Sequence, residues 1–424
     1  MGIAELTRNA ASVLPEGGLE AKLKLGRPLR VKMGIDVTAP DVTLGNGVGL
    51  ARMRAFQDEG HIGVLIVGDY TTRIGDPSGR KSERPMIDPA VIDANAQRYF
   101  EHASTIIDAE RTELRFNGEW LAKLDFAEVL RLTRTTTVAR ILERDDFAKR
   151  FGAKEQISLS ELLYPMMQAY DSVAVEADIE LGGTDQTYNL LMGREVMQAY
   201  GLEPQIALTV QYLDSWDGTG MSASRGNYIG LKEAGEEQFG KAMRIPDSLL
   251  DQWYRLVMQQ DGAPGGDPLE AKLELARFIV RRAWGGEGVR AAEEHFTRVV
   301  REGQAPEDVP DFPLPAGDPV HLPALLADAF GLSTSEARRL IAQGGVKLDG
   351  DAVTELDVAR KRLAGGVLQA GKRRFVRLNE AVLQERPPCY TSPAAREGGV
   401  GKSLQTTENG AAQEDSRKRK SGKS

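Results

Sequence analysis

The sequence of 424 residues predicts an α/β chain built in series: a domain on a parallel sheet, a mostly helical stretch, and a small α+β module with a basic surface. Three observations predict it. Strand-like and helix-like runs alternate from Leu29 to about Leu231, amphipathic helical pattern takes over beyond Glu233, and a Pro- and Gly-rich stretch at 304–318 precedes a last folded module. The expected domains are 1–232, 233–315 and 319–380, with 381–424 a disordered tail.

The elements follow in order. LRVKMGID (Leu29–Asp36) and IGVLIVGDY (Ile62–Tyr70) are apolar enough for strands buried on both faces, and between them Leu50, Met53 and Phe56 recur at helical intervals within Val48–Glu59. That is a β-loop-α-β unit, so the sheet is expected to be parallel with a right-handed crossover. A long helical pattern then leads to ADIELGG (Ala177–Gly183) and IALTVQYL (Ile206–Leu213), two further strands. Leu249–Met258 and Leu273–Trp284 carry amphipathic helix. In the last module, Leu322–Gly350 predicts two short helices, with Ser333 or Ser335 as cap, then a turn and a strand.

Composition removes several functions. A 41% hydrophobic, 27% charged chain without a run of ~18 apolar residues is not expected to cross a membrane, and its N-terminus lacks the order of a signal peptide, so the expected location is the cytoplasm. The single Cys389 excludes an internal disulfide, and four scattered histidines do not suggest a metal site. A net charge of -8 argues against indiscriminate coating of nucleic acid. A local basic face remains, at Arg338, Arg339 and Lys347 and at Lys372, Arg373, Arg374 and Arg377. The terminal RKRK reads as a solvated charge run.

Five segments carry candidate chemistry. TLGN (Thr43–Asn46) is a glycine turn at an expected helix N-terminus, where backbone N–H groups and the helix dipole attract a phosphate, although such turns also close ordinary strand-helix connections. Gly45-Asn-Gly47-Val-Gly49 is not the dinucleotide fingerprint, and GGVGKS at 398–403 lacks the first glycine of a phosphate loop. GDYTTRIGDPSGRKSERP (68–85) leaves a strand at the ligand-binding edge with Asp69, Arg73 and Asp76, of which Asp76 is suited to an ammonium. Tyr164, Gln168 and Asp171 fall at i, i+4 and i+7, giving one helix face a phenol, an amide and a carboxylate. Such a face is a pocket or a solvated surface, and the bulk of Pro165, Met166 and Met167 favours the pocket. LGGTDQ (Leu181–Gln186) offers close backbone approach at Gly182 and Gly183 and a ribose acceptor at Asp185. DGTGMSASRGNYIGL (217–231) is a second turn-rich loop after a strand.

Taken in this order, these segments and the basic module resemble a bacterial tyrosyl-tRNA synthetase, a class I aminoacyl-tRNA ligase, over residues 30–378. The resemblance implies a Rossmann-like catalytic domain with an inserted dimerisation region, a helical anticodon-binding domain, and a ribosomal-protein-like module that grips tRNA. It implies that Tyr164, Gln168 and Asp76 meet the substrate ammonium and Asp171 its phenolic hydroxyl. Gly34, Asp36, Thr38, Gly45, Gly183, Asp185 and Met221 would line the ATP and adenylate site, Gln186 would meet the amino acid, and Arg338, Arg339 and Lys347 would contact RNA. The implied partners are tRNA(Tyr), tyrosine, ATP with Mg2+ as a substrate complex and a second copy of the chain, with no tightly bound cofactor.

The chain departs from the family at its signatures. The family's His-x-Gly-His is Thr43-Leu44-Gly45-Asn46 here, its Lys-Met-Ser-Lys-Ser is Gly220-Met221-Ser222-Ala223-Ser224, and its Asp-Pro-Thr is Asp36-Val37-Thr38. Adenylate formation loads charge onto phosphate oxygens, and one lost donor there costs ~3 kcal/mol, or about 10²- to 10³-fold in rate. The residues left for catalysis are Thr43, Asn46, Ser222, Ser224 and the adjacent Arg225. Two readings follow: a tyrosine–tRNA ligase of reduced activity, or a catalytically impaired paralogue that binds tyrosine and RNA as a sensor or scaffold.

Overall fold

A computed structural model describes residues 2–37, 41–73, 88–301, 309–371 and 374–379. Its centre is a six-stranded sheet formed by β1 (Ala10–Leu14), β2 (Arg30–Ile35), β3 (Ile62–Val67), β4 (Thr112–Phe116), β5 (Ile179–Gly183) and β6 (Ile206–Val210). The spatial order is β1-β6-β5-β2-β3-β4, with β1 antiparallel to β6 and every other pair parallel. β3 and β6 are buried almost throughout, as their apolar runs require.

The four expected strands are present, and two others carry no clear signal in the sequence. β1 and β4 are the sheet edges, half-buried and mixed in polarity, so neither has the continuous apolar run of a central strand. β4 also interrupts the stretch expected to be helical between the second and third strands.

Helix α1 (Leu44–Asp58) crosses from β2 to β3, and α2 (Pro89–Ala103) follows β3. Helix α3 (Leu159–Ala174) leads into β5 and starts in a capping box in which Ser158 and Glu161 satisfy each other's backbone N–H groups. Glu161 is held from its other side by the buried guanidinium of Arg150 at 2.7 Å. Helix α4 (Thr187–Ala199) follows β5. Beyond it, helices at Gly235–Ala242, Leu250–Val257 and Pro268–Phe296 bury Phe239, Trp253, Tyr254 and Leu275 in the same apolar cluster as Leu50, Phe56, Leu65 and Leu208. The last of these helices is broken at Gly285, whose φ of 68° favours glycine, so the regular run ends at Trp284 as its periodicity predicts.

Residues 314–378 gather a core of their own around Leu326, Ile341, Val346, Leu368 and Leu378. Its helices are Leu322–Phe330 and Thr334–Ala342, the second capped by Ser333 in a box with Glu336, while Ser335 lies inside the helix. The Pro- and Gly-rich stretch is not wholly connector: Asp311–Pro313 pairs in parallel with Arg377–Asn379 as an edge strand.

Candidate active site

The site begins where β2 ends. Asp36 follows the strand, accepting from Thr71 Oγ1 at 3.1 Å, from Thr72 Oγ1 at 3.5 Å and from the Tyr164 hydroxyl at 3.0 Å. One carboxylate thus joins the β2 exit, the turn after β3 and helix α3. Tyr164, only 6% exposed, and Asp171, 3% exposed, lie on the face of α3 that meets this edge. The polar stripe of α3 therefore faces inward.

Asp171 is enclosed by two residues that no sequence motif marks. Trp120 Nε1 donates to its Oδ1 at 2.8 Å and Asn117 Nδ2 to its Oδ2 at 3.3 Å. Asn117 also donates to Thr71 Oγ1 and accepts from the Tyr70 backbone N–H, so it locks the turn after β3 to α3. Burial drives the Asp171 carboxyl up to about 7, against the pull of Lys32, Trp120 and Asn117 toward the ionised form. A carboxyl group oriented by two fixed donors is placed to bond a hydroxyl, and accepts that bond most strongly when ionised.

Behind this face lies a dry polar network. Lys32 on β2 is 0% exposed and directly opposite Glu180 on β5 in the parallel register. Its ammonium donates to Glu180 Oε1 at 2.8 Å, Ser172 Oγ at 2.9 Å and the Gln168 carbonyl at 3.0 Å. Gln168 Nε2 donates to Glu180 Oε1 at 3.4 Å, and Gln205 Nε2 to Glu180 Oε2 at 2.9 Å. Lys32 makes these bonds to other groups and bears on Asp171 through its charge.

At the entrance to α4, Asn189 Nδ2 donates to Gln168 Oε1 at 3.0 Å and to Gln186 Oε1 at 2.9 Å, and Gln186 Nε2 donates to Asp185 Oδ2 at 2.9 Å. Gln168 and Gln186 are thereby brought together through a residue that has no motif signal. A Cβ at Gly183 would stand 2.7 Å from Asp185 Oδ1, so the glycine gives the Asp185 carboxylate its room.

The two altered signatures meet. Thr43 and Gly230 form an antiparallel bridge, Leu44 N donates to the Ile229 carbonyl at 2.8 Å and Leu231 N to the Val42 carbonyl at 2.8 Å. Thr43 and Asn46 form a capping box on α1: Asn46 N donates to Thr43 Oγ1, while Thr43 N and Oγ1 both donate to Asn46 Oδ1 at 3.0 and 2.8 Å. The Thr43 hydroxyl, expected to be a donor for a phosphate, is spent inside the box. Asn46 is exposed, its carbonyl oxygen faces Thr43, and its amide nitrogen is the donor directed elsewhere.

The second loop is organised by buried Asn227, whose Nδ2 donates to Asp217, to Thr219 Oγ1 and to the Gly220 carbonyl and whose Oδ1 accepts from Ser222 N. Met221 is buried beside Gly45, Ser222 and Ser224 share a hydrogen bond at 2.9 Å, and exposed Arg225 donates to the Gly220 carbonyl at 3.1 Å. Gly34 is the penultimate residue of β2, at the same edge. Thr38 and Asp76, with Lys372 and Arg373, lie outside the described residues. Asp69 accepts from Gly118 N at 2.7 Å and so anchors the turn after β4.

In the C-terminal module Arg338 and Arg339 are exposed on the helix Thr334–Ala342, and Lys347 is half-buried on the strand Val346–Leu348. Arg339 and Arg374 both act on Glu336, which binds the Ser333 N–H and hydroxyl and is held below the usual carboxylate range by those bonds first.

A mainly parallel sheet with clustered polar side chains at its carboxyl edge, and two loops joined there beside a helix N-terminus, is the arrangement in which open α/β sheets bind nucleotides. The sequence profile of tRNA synthetases class I (W and Y) matches residues 24–299, more than half of the chain, and the chain belongs to that family. Within it, the chain sides with the tyrosine branch. It is 48% identical to the tyrosine–tRNA ligase of Moorella thermoacetica over 391 residues, covering 88% of this chain and 94% of the relative. It is 43% identical to the tyrosine–tRNA ligase of Thermotoga maritima over 386 residues, covering 88% and 96%. Its fold is similar to a crystal structure of the Archaeoglobus fulgidus tyrosyl-tRNA synthetase complexed with L-tyrosine, with a TM-score of 0.54 at 20% identity over 68% of this chain and 98% of that one.

Proposed function

We propose that this chain is a tyrosine–tRNA ligase that activates tyrosine with ATP and transfers it to tRNA(Tyr). The observation that carries the reading is the α3 face itself: Asp171 stands buried between Trp120 and Asn117, and Tyr164 and Gln168 stand on the same face above Asp36 and Glu180. A phenol meets Asp171 and an ammonium meets Tyr164 and Gln168. A site built to bond a hydroxyl rejects the analogue lacking it by about 10⁴ to 10⁵, a value for which tyrosyl-tRNA synthetase is itself the reference example. The 48% identity to a tyrosine–tRNA ligase supports the enzyme over a binding-only paralogue.

Tyrosine is held with its carboxylate directed to the joined signature loops. There the α1 N-terminus, the Asn46 amide and Arg225 supply donors to the ATP phosphates as the carboxylate oxygen attacks the α-phosphorus and pyrophosphate leaves. Mg2+ enters on ATP. Asp185 and Gln186 bind the ribose and the amino acid, with Gly34, Asp36, Thr38, Gly45, Gly183 and Met221 framing the nucleotide and Asp76 completing the ammonium site. The altered letters slow activation without changing its substrate. The helical region 233–315 reads the anticodon, and the module 319–380 contacts tRNA through Arg338, Arg339 and Lys347.

A homodimer in the cytoplasm is the working form. Five large apolar side chains between residues 126 and 159 are exposed in the single chain, among them Phe126 at 75% and Leu159 at 79%, which supports burial against a second copy. Tyrosine-dependent ATP–pyrophosphate exchange on the purified protein tests the activity: exchange above background is expected, and tyrosine binding without exchange overturns it.

A further inference from the structure

We propose that Arg144, Lys32 and Glu180 are positioning residues that fix which end of the Gln168 carboxamide meets the substrate ammonium. The inference rests on the tyrosine-binding reading of that face. A carboxamide can sit in two orientations related by exchange of oxygen and nitrogen, and only the oxygen accepts from an ammonium. In this chain the choice is made by a directional run of hydrogen bonds. Arg144 Nη1 donates to Asn189 Oδ1 at 3.2 Å, Asn189 Nδ2 to Gln168 Oε1 at 3.0 Å, and Gln168 Nε2 to Glu180 Oε1 at 3.4 Å. Lys32 closes the run on the same Glu180 oxygen at 2.8 Å.

The two ends give the run its polarity. Arg144 has only donors, so the Asn189 oxygen must face it and the Asn189 amide nitrogen must face Gln168. Glu180, paired with Lys32, has only acceptors, so Gln168 must turn its nitrogen there. A flipped Gln168 would set N–H against N–H at Asn189 and oxygen against carboxylate at Glu180. Arg144, Asn189, Lys32 and Glu180 are all buried, where an unmatched polar contact is most costly. Their roles are linked by fold rather than by motif: β2, β5, α3, α4 and the segment before residue 145 each supply one member.

Glu180→Gln alone leaves Lys32, which has only donors, to hold the new amide's oxygen where Oε1 stands, so it keeps the Gln168 orientation and serves as the control. Lys32→Met with Glu180→Gln removes the pair without leaving a lone buried charge, which proteins often tolerate. Dissociation constants of L-tyrosine and of 3-(4-hydroxyphenyl)propanoate, which lacks the ammonium, are measured on each protein together with its Tm. The expected result, measured below the Tm of each protein, is a tenfold or greater weakening for L-tyrosine in the double variant with the propanoate changed less than twofold, and no such selective loss in Glu180→Gln alone. Equal weakening of both ligands, or of neither, overturns the inference and leaves the tyrosine reading standing. A wild-type protein that binds neither ligand overturns both.

Discussion

Tyr228 donates its hydroxyl to Asp41 at 2.6 Å, tying the second signature loop to the first beside the Thr43–Gly230 bridge. The Lys241 ammonium stands 5.3 Å from the Tyr228 ring and adds a cation against its face. Tyr228→Phe removes this tie and leaves the tyrosine pocket untouched. ATP KM in pyrophosphate exchange should rise about two- to tenfold, the range of one ordinary net hydrogen bond of ~0.5–1.5 kcal/mol, while tyrosine affinity stays within twofold. A tyrosine affinity that falls in step with ATP would show that the tie supports the whole edge instead.

If Asp171 meets the substrate phenol as proposed, tyrosine binding should be pH-dependent. Its folded carboxyl titrates at about 7 against an ordinary 3.8, because burial outweighs its donors. The native state therefore holds a proton that the unfolded chain has lost between those values, and stability falls as pH rises across that window, by at most about 1.4 kcal/mol per unit. Binding runs the other way, since the ionised carboxylate is the stronger acceptor for a phenol. Tyrosine affinity should improve from pH 5.5 through 7 and level above about 8, and Asp171→Asn should abolish both slopes in binding and melting titrations.

Arg225 and Asn46 are the side-chain donors that the proposed mechanism assigns to the ATP phosphates. Arg225 bonds a backbone carbonyl in its own loop, which leaves its guanidinium further N–H groups to offer. Arg225→Ala should depress pyrophosphate exchange at least tenfold in kcat, and Asn46→Ala by a similar factor, each with tyrosine KM unchanged. An Arg225→Ala enzyme with unaltered exchange would assign the phosphate contacts to Asn46 and the helix N-terminus.

Charge on the C-terminal module should matter only for the second half-reaction. The triple replacement of Arg338, Arg339 and Lys347 by Ala is expected to raise the KM for tRNA at least tenfold. Its log–log salt slope should become shallower by roughly 0.7 to 0.9 for each phosphate the variant leaves unneutralised. Pyrophosphate exchange by the same variant should match the parent. Reduced exchange would mean the module also supports the catalytic face.

What the sequence reveals and conceals has a physical pattern. Tyr164, Gln168 and Asp171 are legible because three polar residues at helical spacing on an apolar helix must share one face. Lys32 and Glu180 are separated by 148 positions and become partners only through the β2–β5 register, which a single sequence does not state. Trp120 and Asn117 likewise reach Asp171 only once β4 is placed at the sheet edge, and the mixed polarity of β4 hides it. The helix start at Thr43 is readable from its glycine turn; that Asn46 closes a box on Thr43 is not, because the box usually carries Glu or Gln at that place.

That box binds the fates of two letters. Exchanging Thr43 removes the N-cap bond to the backbone N–H of residue 46, at a cost of about 1 kcal/mol, while exchanging Asn46 keeps that bond and opens only the other half of the box, at Thr43 N and Oγ1. Their effects on stability are consequently non-additive, and a double-mutant cycle between them should return a coupling energy of that order. A lineage moving one residue at a time between this pair and two histidines passes through a half-open box at the proposed phosphate site, and the order that exchanges position 46 first keeps the N-cap bond until the last step.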